Sequence, residues 1–126
     1  MPLYNVACRT RPEAGTHRSV VEAITATHCE ITGAPPEFVS VVFLHGYPLT
    51  PGIELSVIAG VRGGGNRDAT LFARLEQALQ LAISEAAHLQ PPAVEIALIE
   101  FAASWIMEGG AILPEPGEEE HWHPLR

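Results

Sequence analysis

The feature that most restricts how this chain can fold is a plan stated twice. A β-prone stretch, Leu3 to Cys8, leads through Thr16, a candidate helix cap, into a helix whose apolar positions Val20, Ile24 and Ile31 recur at turn spacing. Gly33 stops that helix, and Pro35-Pro36 opens the β-branched and aromatic strand run Phe38 to Leu44. After a break rich in proline and glycine the order returns: strand Leu55 to Val61, a glycine-rich loop, then a helix with Leu71, Leu75, Leu79, Ile83 and Ala86 on one face. Pro91-Pro92 then opens the strand Val94 to Phe101, 56 positions after the first proline pair. An arginine, Arg9 and then Arg62, ends the first strand of each half. A strand, a crossover helix and a second strand make a parallel β-α-β unit. The predicted class is therefore α+β, with two fused β-α-β units forming one four-stranded sheet and two helices on one of its faces.

The whole of 1–126 reads as a single domain, with pseudo-repeats 2–52 and 53–101. The C-terminal segment 102–126 is expected to hold a short helical or turn element and an acidic tail. Hydrophobic residues make up 47% of the chain, and the strand Val39 to Leu44 is apolar on both faces. Helices cover one face of the predicted sheet, so the other calls for a partner, and self-association in a closed symmetric oligomer is the economical answer. Cys8 and Cys29 lie in apolar stretches without metal-ligand spacing and read as reduced, packed thiols. No apolar run approaches the ~20 residues that span a bilayer, and the first residues lack the pattern of a signal peptide, so a soluble, cytoplasmic protein is expected.

Charge narrows the function. A net charge of −8 repels nucleic acid and anionic membrane alike, so neither is an expected partner. All seven basic residues are arginine. Lysine Schiff bases, pyridoxal phosphate chemistry and the Walker-type phosphate loop need a lysine amine and are excluded, and no cofactor is expected. The chain's own N-terminus is the one amine available for chemistry. Arginine forks suit bidentate recognition of carboxylates, which makes a small carboxylate-bearing molecule the natural partner.

With Pro2 at the start, the doubled plan and Arg62 after the third strand, the sequence resembles the tautomerase superfamily over its whole length. Within it the chain is most similar to the cis-3-chloroacrylic acid dehalogenase branch, through Ala23 to His28, Arg62 with Arg67, and Met107-Glu108-Gly109-Gly110 followed by Leu113-Pro114-Glu115-Pro116-Gly117 and Trp122. The resemblance implies a homotrimer of fused subunits and a catalytic Pro2, exposed as an amine by removal of Met1. It also implies that His28, Arg62 and Arg67 bind substrate and that Glu108 activates water. Two departures stand out. The dehalogenase's tyrosine on the fourth strand is missing, the aligned position falling near Ala97, and the arginine pair is spaced more widely, as Arg62-Gly63-Gly64-Gly65-Asn66-Arg67.

The residue types fit such chemistry. Burial beside arginine disfavours a charged α-amino group and lowers its pKa from ~8 toward neutrality, where it can take a proton. Arg62 leaves a strand end into a glycine loop, a usual place for ligands. Arg67 precedes a helix start, where a cation calls for an anion, although Asp68 can pair with it or cap the helix. His28 follows Val20 and Ile24 on the apolar helix face, where a core histidine and a functional one look alike. Glu108, next to Trp105 and Met107, is either a carboxylate with a raised pKa or a solvated turn residue. His121-Trp122-His123 lacks a third spaced ligand and is read as a tail packing through Trp122, with no metal expected. The glycine loop reads as a flexible wall of the pocket.

The expected activity is that of a tautomerase or isomerase acting on an enol or 2-oxo acid. A cofactor-independent hydratase or dehalogenase, or an inactive binding homologue, is the alternative.

Overall fold

The computed structural model describes residues 2–122. Met1, and with it the question of its removal, and His123 lie outside the described residues. Strand β1 (Leu3–Cys8) and strand β2 (Ser40–Leu44) flank helix α1 (Ala14–Thr32), and β3 (Leu55–Gly63) and β4 (Val94–Ala102) flank α2 (Ala69–Ala86). The sheet order is β2-β1-β3-β4. Each outer pair is parallel, and the two halves meet at an antiparallel β1–β3 seam in which Leu3 faces Gly60 and Cys8 faces Leu55. This is the α+β architecture with two fused β-α-β units.

Alternation along the strands decides what each face does. Tyr4, Val6 and Cys8 of β1, with Val57, Ala59 and Val61 of β3, point into a core closed by Val20 and Ile24 of α1 and by Leu75, Leu79 and Ile83 of α2. Each large aliphatic side chain so buried is worth about 1.5–3 kcal/mol. Among the described residues no helix covers the other face. Leu3, Val42, Leu44, Ile58, Ile99 and Phe101 stand there between 38% and 48% exposed.

Local details differ from expectation for physical reasons. Helix α1 starts at Ala14, and its cap position is the extended Glu13 after Pro12. Thr16 falls inside the first turn, whose amides need no side-chain cap because solvent reaches them. Gly33 does end α1, in the left-handed conformation at φ 76°. The residues Pro36–Phe38 form a 3₁₀ turn, as do Pro91–Ala93, because proline presets the first helical φ. Strand β2 consequently starts at Ser40. Asp68 caps α2, its carboxylate accepting from the Leu71 amide at 2.8 Å.

The C-terminal segment contains a hairpin that the sequence pattern did not signal, β5 (Met107–Glu108) against β6 (Ala111–Ile112). Gly109 and Gly110 form its turn, both with positive φ. Trp122 does anchor the segment, its indole donating to the Ile112 carbonyl at 2.9 Å and its ring meeting Phe38 edge-on.

Candidate active site

The antiparallel seam brings the start of β1 to the end of β3. With Leu3 opposite Gly60, one further step places Pro2 alongside Val61 and next to Arg62. Pro2 is buried, and its carbonyl accepts from the Ser40 amide at 3.0 Å. Tyr4, two residues on and on the same strand face, is fully buried, and its phenol oxygen lies 2.7 Å from Nδ1 of His28. His28 is fully buried as well, on the Val20–Ile24 face of α1. Its rings meet those of Tyr4 edge to face, centroids 5.7 Å apart.

The arginines come together behind this pair. Arg62 is 1% exposed despite its charge, because the chain from Pro114 to Glu119 crosses it. One Nη donates to the Pro114 carbonyl at 2.6 Å and the other to Oε1 of Glu119 at 2.7 Å. Arg67 is also buried, and Nη1 donates to the Arg62 carbonyl at 2.8 Å. Asp68 is spent on its helix cap, so of the two roles open to it in the sequence it takes the cap.

Three buried nitrogens in this cluster have no hydrogen-bond partner among the described residues: Nε2 of His28, Nε of Arg62 and Nε of Arg67. Unpaired buried polar groups are costly and rare in native proteins, so three in one cluster single it out as a candidate ligand site. Electrostatics ties the set together. Burial pulls the His28 pKa down to about 3, and the positive charges of Arg67 and Arg62 add to the effect. Burial likewise pushes the Tyr4 phenol well above its ordinary value, while Arg67 works against that shift. Both rings are therefore uncharged at neutral pH. The Arg67 pKa is lowered by burial and by Arg62, the signature of two like charges held close together without full compensation.

The glycine loop departs from expectation. It is clamped rather than a flexible wall. Gly63 is the last residue of β3, and a Cβ there would run into the Glu100 side chain. Gly65 has φ 58°, and a Cβ on it would run into the Pro116 carbonyl oxygen. The segment 114–119 packs against this backbone, which only glycine allows. Arg9, the counterpart of Arg62 by position, does unrelated work, with its guanidinium donating to the Leu49, Thr50 and Ile53 carbonyls and holding that loop.

Glu108 is carried by β5, outside the four-stranded sheet, and is half-buried. The neighbours expected to surround it with apolar surface turn outward, Trp105 at 85% and Met107 at 70% exposed, because none of the described residues forms a layer above the two-residue hairpin. Ala97, at the position of the missing tyrosine, lies on the open sheet face opposite Ile58. A cavity of about 160 Å³ lined by Thr10, Pro12, Val20, Phe43 and Leu89 sits at the far end of the sheet from Pro2 and shares none of these residues.

Sequence reasoning missed Tyr4, Pro114 and Glu119. Tyr4 carried a signal, since an aromatic with a polar tip at an inward strand position needs a buried partner. Glu119 carried none, being the middle of three consecutive glutamates.

No protein-family model and no curated protein matches the chain. Solved structures do. The chain is similar to a member of the cis-3-chloroacrylic acid dehalogenase family, 28% identical with a TM-score of 0.80, over 95% of this chain and 89% of that one. It is similar to a native fused 4-OT, 16% identical with a TM-score of 0.78, over 87% and 94% of the two chains. The macrophage migration inhibitory factor of Toxoplasma gondii, at 13% identity and a TM-score of 0.69 over 86% and 97% of the two chains, shares the fold alone.

Proposed function

We propose that this chain, a tautomerase-superfamily protein close to the cis-3-chloroacrylic acid dehalogenase branch, is an enzyme that uses Pro2 as general acid and base on a small carboxylate-bearing enol or 2-oxo acid. The observation that carries this reading is the trio of buried nitrogens without a partner among the described residues, His28 Nε2, Arg62 Nε and Arg67 Nε, near the end of β3 to which the seam brings Pro2. A substrate carboxylate satisfies these donors, and the same positive field disfavours protonation of the proline amine once Met1 is removed. The neutral amine takes a proton from one substrate atom and returns it to another. The donors hold the carboxylate and any enolate charge that develops. Arg62 keeps its Nη groups on Pro114 and Glu119, so its Nε edge is the one it offers to substrate.

A second reading has a specific observation behind it, the 28% identical dehalogenase-family structure. In that reading Glu108 activates water while Pro2 supplies the proton. Ala97 leaves this route without the tyrosine that the resemblance associates with it, so proton transfer between carbons is the primary activity and hydration or dehalogenation the secondary one. The apolar open face of the sheet is best buried in a homotrimer, and fused 4-OT neighbours of the same fold are described as trimers. No described helix is long and apolar enough to cross a membrane.

A panel of 2-oxo acid enols, cis-3-haloacrylates, propiolate analogues and malonate semialdehyde tests the assignment. A kcat/KM for enol ketonisation above that for halide release is expected, and the opposite order would reverse it. Loss of halide release in Glu108→Gln would assign water activation to Glu108.

A further inference from the structure

We infer that Tyr4 is a positioning residue that fixes His28 in the tautomer carrying its proton on Nε2, so that His28 serves as an uncharged hydrogen-bond donor and not as a base. The geometry is a closed pair: two fully buried rings, edge to face, with the phenol oxygen 2.7 Å from Nδ1. One proton lies between them, and it belongs either to the phenol or to the imidazole. If the phenol donates, Nδ1 accepts, the imidazole proton sits on Nε2, and a single group in the pair is left unpaired. If Nδ1 donates instead, the phenol proton needs a second acceptor, for which no partner appears among the described residues, and the Nε2 lone pair is unpaired too. Two buried orphans cost more than one, so the phenol is the donor.

The consequence concerns what Nε2 can do. An Nε2–H left unpaired in a cluster that also holds the two guanidinium groups gains nothing until an anion arrives, and then it becomes a third donor to that anion. The pair also divides the labour. With its acceptor nitrogen occupied by Tyr4, His28 has no free lone pair for proton abstraction, which leaves that work to the amine of Pro2. Tyr4 lies on β1 two residues after Pro2, which immediately precedes that strand, so one short stretch carries both the amine and the residue that orients His28. What Nε2 meets rests on the proposed function; the tautomer itself does not.

Long-range ¹H–¹⁵N correlation spectra of the labelled full chain read the tautomer directly. Between pH 5 and 8 His28 is expected to show an unprotonated Nδ1 and a protonated Nε2. In Tyr4→Phe the pattern is expected to shift toward mixed tautomers, and KM for a carboxylate enol to rise about tenfold with a smaller change in kcat. A wild-type His28 protonated on Nδ1 overturns the inference, as does a Tyr4→Phe variant with tautomer and KM unchanged. If Tyr4→Phe does not fold, the wild-type spectrum decides alone. An Nε2-protonated His28 in a protein whose activity ignores Pro2 supports the tautomer and sinks the proposed function.

Discussion

Replacing Glu119 by glutamine keeps the side chain's size and removes the one counter-charge seen on Arg62 among the described residues. Arg62 is 1% exposed and its partner carboxylate 20%, so the arginine end of the pair is desolvated while the glutamate end is partly screened. Breaking a fully buried pair costs about 3–5 kcal/mol, whereas a surface pair is worth about 0–1. This geometry lies between the two, and the bonds that Arg62 still donates to the Pro114 carbonyl and to the glutamine amide oxygen soften the loss, so about 2–3 kcal/mol is expected. For a chain of this length each kcal/mol moves Tm by roughly 3–5 °C, giving a drop of roughly 6–15 °C. Thermal unfolding followed by circular dichroism, at one protomer concentration, measures it. Glu118→Gln, at an exposed neighbouring position, is the control and should leave Tm unchanged. A Glu119→Gln Tm within about 1 °C of wild type would refute the reasoning, since Arg62 would then not depend on this carboxylate.

The same pair gives a pH dependence. Burial raises the Glu119 pKa, but the bond and charge of Arg62 and the backbone amide bonds together outweigh it and the net shift is downward, so the stabilisation is complete above the ordinary carboxylate range and is lost as pH falls below it toward the lowered pKa. For His28, lowered from 6.5 to about 3, the unfolded chain takes up the proton first, so stability should fall by about 1.4 kcal/mol per pH unit from 6.5 downward, read by urea unfolding at stepped pH. His28→Gln should flatten that slope. Gly65→Ala, with φ 58° and the Pro116 carbonyl in its way, should destabilise by more than about 2 kcal/mol in urea, whereas Gly15→Ala, with nothing near it, should not. Arg62→Ala should raise KM for a carboxylate substrate, and Arg62→Lys should not restore it, because the planar fork is lost. Light scattering at micromolar concentration should give the mass of three chains; the mass of one would contradict the account of the open sheet face.

Much of the fold was legible because it is written in periodicities and punctuation. The repeated proline pairs located β2 and β4, and the spacing of Leu75, Leu79 and Ile83 fixed the buried face of α2. The antiparallel seam between the halves was not legible, since strand patterns do not say which edges meet, and that seam is what carries Pro2 toward Val61, the residue before Arg62. Of the site, the clustering of His28 with the two arginines follows the resemblance. Its reason lies in groups without sequence signature, the Pro114 carbonyl and the Glu119 carboxylate that allow an arginine to be buried. The hairpin at Glu108 escaped notice because each of its strands is two residues long, too short for any period to register.

The central claim is that the amine of Pro2 moves the proton. Stopped-flow ketonisation of phenylenolpyruvate by wild type and by Pro2→Ala, across pH 5 to 9, tests it most directly. Pro2→Ala is expected to lower kcat/KM by about 10²–10⁴, and the wild-type profile to rise through a pKa below the ~8 of a free α-amine. Full activity in Pro2→Ala, or in a form bearing extra residues ahead of Pro2, would contradict it.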